Sequence, residues 1–401
     1  MDDVEELLFL AHRIPYPPNK GDKVRSFHIL QALAGRYRVR LGAFVDDPAD
    51  LRHADKLARY CVEVHLLRLH PPAARLRSLS GMATGRPLTL PYFHDRAMRT
   101  WVRTRLAPGA IRRVLVYSSA MAQYVEGAAT SLRRVVDLVD VDSDKWRQYA
   151  QRARWPMSAV YRREARRLLA YERRIAAAFD ATVLVSGAEA ALFRDLAPES
   201  AARVHAVENG VDARFFSPER TYPDPYGPGG PVLAFTGAMD YRANVDAVVW
   251  FAAEVFPALR RRVPQARFFI VGARPADAVR RLAARAGVHV IGSVPDIRPY
   301  LAHAALAVAP LRMARGIQNK VLEAMAMARP VVASPEALDG LDLGPCALTP
   351  ARTPAEWVEA VSRAIEGAGS APQLREWVRG RYDWAVEGGR FAALLEGEAD
   401  D

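Results

Sequence analysis

Short apolar runs of about four to eight residues recur along this chain with helix-length stretches between them, and the alternation runs through twice. The first pass contains Leu7–Ala11, Val39–Phe44, Cys61–Leu67, Val114–Tyr117, Val135–Val139 and Ala181–Ser186, with an Arg-rich helical stretch over 157–178. Residues 217–230 then carry Pro218, Pro223, Pro225 and Pro228 beside Gly227, Gly229 and Gly230, a density of breakers that predicts a linker. Beyond it the pattern restarts, with strands expected over 232–236, 267–271, 288–291, 305–309 and 330–333. Helices are expected over 245–262, 276–286, 297–303 and 319–328. Strand–helix–strand alternation forces parallel crossovers, so the fold class is α/β, with two doubly wound domains facing across a cleft. The expected boundaries are 1–216, a linker over 217–230, 231–378, and a C-terminal helix over 379–401 packing back on the N-terminal domain. At 401 residues the chain is too long for one ordinary core, which agrees.

Composition narrows the class. Half the residues are apolar and a quarter charged, as in a folded globular protein. No apolar stretch reaches the roughly 18 residues of a membrane span, and the first residues put no basic region ahead of an apolar core. A cytoplasmic protein is therefore expected. Cys61 and Cys346 lie too far apart to form a metal knuckle, and no metal or cofactor is expected. The formal net charge is +11, and of 56 Lys and Arg residues only five are lysines. Such a balance favours contact with polyanions such as anionic lipid, nucleic acid or phosphorylated substrates. The stretch Arg152–Arg174, with Trp155, Tyr161, Leu168 and Leu169, reads as an amphipathic helix able to lie on an anionic membrane.

In open parallel sheets ligands bind where strands end and helices begin. The loop after the strand ending at Pro310 passes Gly316 and reaches a helix near Asn319, whose free N–H groups and Lys320 form a seat for a diphosphate. Glu323, one turn on, can accept two hydrogen bonds from a pair of neighbouring hydroxyls, as a ribose offers. After the strand ending at Thr236, Gly237 lets the backbone approach a ligand, Arg242 can reach a phosphate and Asn244 can cap a helix. In the first domain His12, Ser118, Asp140 and Asp142 follow strand ends, with Lys145 close behind.

Three strings, Asn209-Gly-Val-Asp…Phe215…Pro218, the Gly237 turn and Lys320-Val-Leu-Glu-Ala-Met-Ala…Pro330-Val-Val, resemble the retaining family-4 glycosyltransferases of the GT-B fold. Pro17-Pro-Asn-Lys-Gly-Asp-Lys23, Asp137-Leu-Val-Asp-Val-Asp-Ser-Asp-Lys-Trp146 and Gly316-Ile-Gln-Asn-Lys-Val-Leu-Glu-Ala-Met-Ala326 resemble the branch associated with PEP-CTERM exopolysaccharide clusters.

The resemblance implies two Rossmann-like domains and transfer from a nucleotide sugar to a glycan or lipid-linked acceptor, at the cytoplasmic membrane face. It implies donor contacts from Gly21, Gly237, Arg242, Gly316, Ile317, Asn319, Lys320 and Glu323. Arg242 and Lys320 would face the diphosphate, with Asp140 or Asp142 completing the catalytic set and no metal. His12, Lys20, Lys23, Ser118 and Lys145 would lie on the acceptor side. The sequence departs from the family at Arg315, where the first glutamate of the E-x7-E motif would fall, and at Ala238, where an arginine usually follows the glycine. The competing readings are a nucleotide-sugar epimerase on the same fold and a basic polyanion-binding protein. With 9% aromatic residues and no nucleic-acid module, specific nucleic-acid binding is not expected.

Overall fold

The computed structural model describes residues 4–18, 21–107, 109–128, 131–314, 317–346, 348, 350–367 and 370–398. The chain forms two compact units, Met1–Glu208 with Glu387–Asp401, and Asn209–Val386. Residues 217–230 thus fall within the second unit.

The first unit holds seven strands: β1 (Glu6–Ala11), β2 (Arg38–Val45), β3 (Cys61–Arg68), β4 (Ile111–Tyr117), β5 (Arg133–Val139), β6 (Ala181–Leu184) and β7 (Val204–Ala206). Their order is β3-β2-β1-β4-β5-β6-β7, and every neighbouring pair is parallel. Leu7, Leu8, Phe9, Leu10 and Ala11 are all fully buried. A strand covered by helices on both faces must be apolar at successive positions, which is why β1 shows no alternation. The strand order reverses between β1 and β4, so their carboxyl ends flank the crevice where such sheets take ligands.

The second unit repeats this plan with β8 (Val232–Thr236), β9 (Arg267–Val271), β10 (Val288–Gly292), β11 (Leu306–Ala309) and β12 (Val331–Ala333), in the order β10-β9-β8-β11-β12. Its reversal lies between β8 and β11. Phe251 anchors the core, its ring 4.9 Å from that of Phe268 and 5.5 Å from that of Trp357.

Three elements differ from expectation. The helix expected over 245–262 starts at Arg242, runs to Trp250, widens by one π-turn over Phe251–Val255 and resumes over Phe256–Arg262. Pro257 has no N–H to give the carbonyl one turn back, and the wider turn accommodates that loss. The expected 276–286 helix is only Asp277–Arg280 followed by a tight turn of 3-10 helix. β7 is a strand of three residues, too short for a periodic pattern to reveal.

The last helix, Trp384–Glu396, places most of its length in the first unit. There Tyr37 donates to Glu396 at 2.8 Å and Arg133 Nε donates to the Leu394 carbonyl at 2.9 Å. A Cβ on Gly388 would come within 2.2 Å of the Ala32 Cβ, so glycine permits this helix to lie against the helix Gly21–Ala34. The Arg-rich helix spans Met157–Ala178, with Leu168, Tyr171 and Ile175 buried and Arg162, Arg166 and Arg167 exposed. Among the described residues no helix is long and apolar enough to cross a membrane.

Candidate functional site

Each unit gathers its polar residues at its own sheet reversal. In the second unit Gly237 N donates to the Val271 carbonyl at 3.1 Å and Gly272 N to the Gly292 carbonyl at 2.9 Å. A Cβ on Gly272 would fall 1.6 Å from the Gly237 oxygen, and one on Gly237 would fall 2.7 Å from Asn244 Nδ2. Only glycines let these two strand ends lie together while polar side chains press on the backbone.

Lys320 Nζ lies 4.4 Å from the centre of the Phe235 ring and donates to Asn244 Oδ1. Asn244 Nδ2 donates in turn to the Ala238 carbonyl at 2.9 Å. Asn244 is thus not the helix cap expected of it. The helix begins at Arg242, and Asn244, already inside it, orients the lysine.

The helix Asn319–Ala326 begins without a capping side chain, since Gln318 makes no such bond. Its first N–H groups and Lys320 therefore form a concentrated positive end. Asn319 Oδ1 is buried without a partner, and Ile317 packs half-buried against the core. Burial lowers Lys320 to about 8 and raises Glu323 to about 7, each opposed by the other's charge. Arg242 is exposed in the first turn of its helix. Arg315 and Gly316 lie outside the described residues, as does Lys20.

In the first unit His12 follows β1 and stacks on Tyr117, the last residue of β4, with ring centres 5.6 Å apart. Its Nε2 lies 3.5 Å from Asp22 Oδ2, and Arg13 Nη1 reaches the same oxygen at 2.7 Å. Burial pushes the Asp22 carboxyl up, but His12 and Arg13 outweigh it and hold the group well below the usual carboxylate range. Lys145 Nζ lies 2.6 Å from Asp140 Oδ2 and 3.2 Å from Asp142 Oδ1, so both aspartates face one protein cation. Burial raises Asp142 against the pull of Lys145, and the charge of His12 also reaches it. Behind this cluster, Glu172 is fully buried, accepts bonds from the hydroxyl and N–H of Ser143, and is raised by burial to about 8.

The two strand ends beside this cluster are strained. Ser118 has φ 80° and Val139 has φ 69°, left-handed values that non-glycine residues seldom adopt. The Ser118 N–H donates to the Asp137 carbonyl at 2.8 Å, locking one strand end to the next.

Not every expected contact is present. Lys23 is buried and its ammonium is paired with Asp50, so its charge is neutralised inside the unit. Gly21 opens the Gly21–Ala34 helix and is exposed. Sequence reasoning passed over Arg13, Phe235 and Tyr117, and met Asp22 only within the Pro17–Lys23 string. It also missed Gly272, although its place just after β9 matches that of Gly237 after β8.

Residues 230–367 match the family model described as "Glycosyl transferases group 1". The match covers about a third of the chain and takes in all of the second unit's cluster. Similar solved structures span the chain end to end. Sucrose-phosphate synthase from Thermosynechococcus elongatus superposes with a TM-score of 0.66 at 17% identity, covering 98% of each chain. HepE of Anabaena, in complex with UDP and glucose, gives 0.62 at 17% identity over 98% of this chain and 100% of its own. WaaG, described as a glycosyltransferase involved in lipopolysaccharide biosynthesis, gives 0.57 at 16% identity over 98% of each. No curated protein matches the chain significantly by sequence. The fold is of the GT-B type, two Rossmann-like domains in one chain. The group 1 match places a glycosyl-transferase-type domain over residues 230–367, on this fold.

Proposed function

We propose that the protein transfers a sugar from a nucleoside-diphosphate sugar to an acceptor hydroxyl, with retention and without a metal, in the synthesis of exopolysaccharide or another cell-surface glycan. The carrying observation is the second unit's cluster: Lys320 held by Asn244 over Phe235, at an uncapped helix end, beside backbone that only glycine allows. Fixed cations at a departing diphosphate lower the barrier by electrostatic preorganisation, each typically contributing about 3 to 4 kcal/mol. Lys320 and the helix N–H groups supply this, Arg242 extends to the outer phosphate, and Glu323 accepts from the ribose hydroxyls. In the first unit, Asp140 and Asp142 orient hydroxyl groups, with Lys145 fixing both carboxylates and His12 and Ser118 completing the acceptor side. The similarity of the Pro17–Lys23, Asp137–Trp146 and Gly316–Ala326 strings to the PEP-CTERM branch of family 4 favours a role in exopolysaccharide synthesis. HepE holds UDP and glucose, so a uridine nucleotide is the first donor to test.

The acceptor on this reading is lipid-linked, reached from the cytoplasmic face. Supporting it, Trp155 is 81% exposed between the helices Asp142–Arg152 and Met157–Ala178, with exposed Tyr149 and Met157 nearby and Arg147, Arg152, Arg154 and Arg162 around them. Neither the group 1 match nor the similar structures favour an epimerase.

The direct test is incubation of labelled nucleotide sugars with the protein and a lipid extract. Release of nucleoside diphosphate with label in the lipid phase, reduced about a hundredfold or more in Lys320→Met, is expected. An epimerised nucleotide sugar with no diphosphate release would contradict transfer.

A further inference from the structure

A cavity of about 490 Å³ opens in the first unit, and five arginines are among its lining residues. Arg99 and Arg103 lie one turn apart on the helix Arg96–Leu106, and Arg167 and Arg174 two turns apart on the helix Met157–Ala178. Arg86 comes from the turn at Gly85, whose φ of 70° bends the chain there. Five arginines and one carboxylate, Glu126, thus line the cavity, and Glu126 pairs with Arg174 at 2.9 Å. Among the described residues the guanidinium groups of Arg86, Arg99, Arg103 and Arg167 make no hydrogen bond or ion pair. Surface arginines ordinarily splay apart or pair with carboxylates; here five of them line one concavity with a single carboxylate, and a bound anion would relieve the repulsion that solvent screens only in part.

A second observation points the same way. Tyr171 lines the cavity, is 3% exposed, and its hydroxyl is buried with no partner. The Arg174 guanidinium stacks over the Tyr171 ring at 5.0 Å, which fixes that cation at the wall. Another wall residue, Tyr124, donates to the Phe93 carbonyl, and the Phe93 ring meets His12 edge-on at 5.7 Å. The cavity is therefore one layer of side chains from the His12 cluster.

We propose that this cavity binds a phosphate-bearing group with two or more negative charges, seated by the forked guanidiniums of Arg99, Arg103 and Arg167. Guanidinium forks match phosphate oxygens in geometry, and a volume of this size suits a small ligand. The same chemistry is offered by a soluble diphosphate and by a phosphorylated lipid headgroup. The proposal does not depend on the transfer reaction.

The test uses the full chain carrying Lys320→Met, which removes the other expected diphosphate seat, and titrates inorganic pyrophosphate by calorimetry. Saturable binding is expected, weakened about tenfold or more by adding Arg99→Gln with Arg103→Gln, and also by adding Arg167→Gln alone. The paired control Arg261→Gln with Arg281→Gln, exposed arginines of the second unit, should leave it unchanged. A second arm floats the same proteins on phosphatidylcholine vesicles with and without phosphatidic acid. Loss of phosphatidic-acid-dependent flotation in the Arg99/Arg103 variant identifies a lipid headgroup; loss of pyrophosphate binding alone identifies a soluble ligand. Binding equal in the parent and in both cavity variants, an equal loss in the control, or no saturable binding of either probe would overturn the proposal.

Discussion

Lys320 holds its ammonium above the Phe235 ring, and burial brings its pKa down to about 8. A bound diphosphate favours the charged form, so nucleotide binding must take up a proton once the free lysine begins to lose its own. Nucleoside-diphosphate affinity should therefore fall by about tenfold per pH unit above pH 8, and calorimetry in two buffers of different ionisation heat would show the proton uptake. Lys320→Met should bind weakly and show no such slope. Glu172 has the opposite chemistry. Its carboxyl, buried against Ser143, is raised from 4.5 to about 8, so the folded protein holds a proton there that the unfolded chain has released. The folded state consequently loses stability as pH rises from 4.5 through 8, and Glu172→Gln should flatten that decline in thermal melts. These residues differ in how legible they were. Lys320 and Glu323 stood in one string at a strand end, where elementary reasoning looks. Asp22, Arg13 and Tyr117 come from three segments that meet only through the sheet, and Glu172 sits deep in a helix that reads as merely Arg-rich.

At the scale of elements, the strand ends set the chemistry and the glycines set the strand ends. Gly272 carries its α-carbon so close to Gly237 that any side chain displaces the neighbouring backbone. Gly272→Ala should cost about 2 kcal/mol or more in denaturant unfolding and weaken nucleotide binding in parallel, because the Gly237 turn shifts with it. An exposed glycine such as Gly380, with open space around it, should show neither effect. Long buried strands such as β1 and β8 were readable because two-sided cover demands unbroken apolar runs. β7, with three residues, carries no such pattern, and the helix around Pro257 was drawn as continuous because periodicity alone does not register a missing N–H. Strain is likewise silent in sequence: nothing about Ser118 or Val139 announces a left-handed backbone.

At the scale of the molecule, two units of one plan each present a polar cluster at the reversal of their own sheet, and the tandem repeat of strand–helix alternation made that plan visible. The division at Asn209, with the chain's last residues returned to the first unit, was less so, because the 217–230 breakers mark a long surface segment inside the second unit. The positive charge also belongs to this scale. If Trp155 and its arginine neighbours meet an anionic membrane, vesicle binding should weaken with salt and fall about tenfold in Trp155→Ser, measured by flotation. The central claim is that the second unit's cluster is a seat for a nucleoside diphosphate. Its most direct measurement is calorimetric titration of UDP, GDP, ADP, dTDP and CMP into the wild-type chain, Lys320→Met and Glu323→Ala. The account predicts saturable binding of one nucleoside diphosphate class, weakened about tenfold or more in each variant while both retain the wild-type melting temperature. Binding that survives in both variants, or no binding of any nucleotide by the wild-type protein, would contradict it.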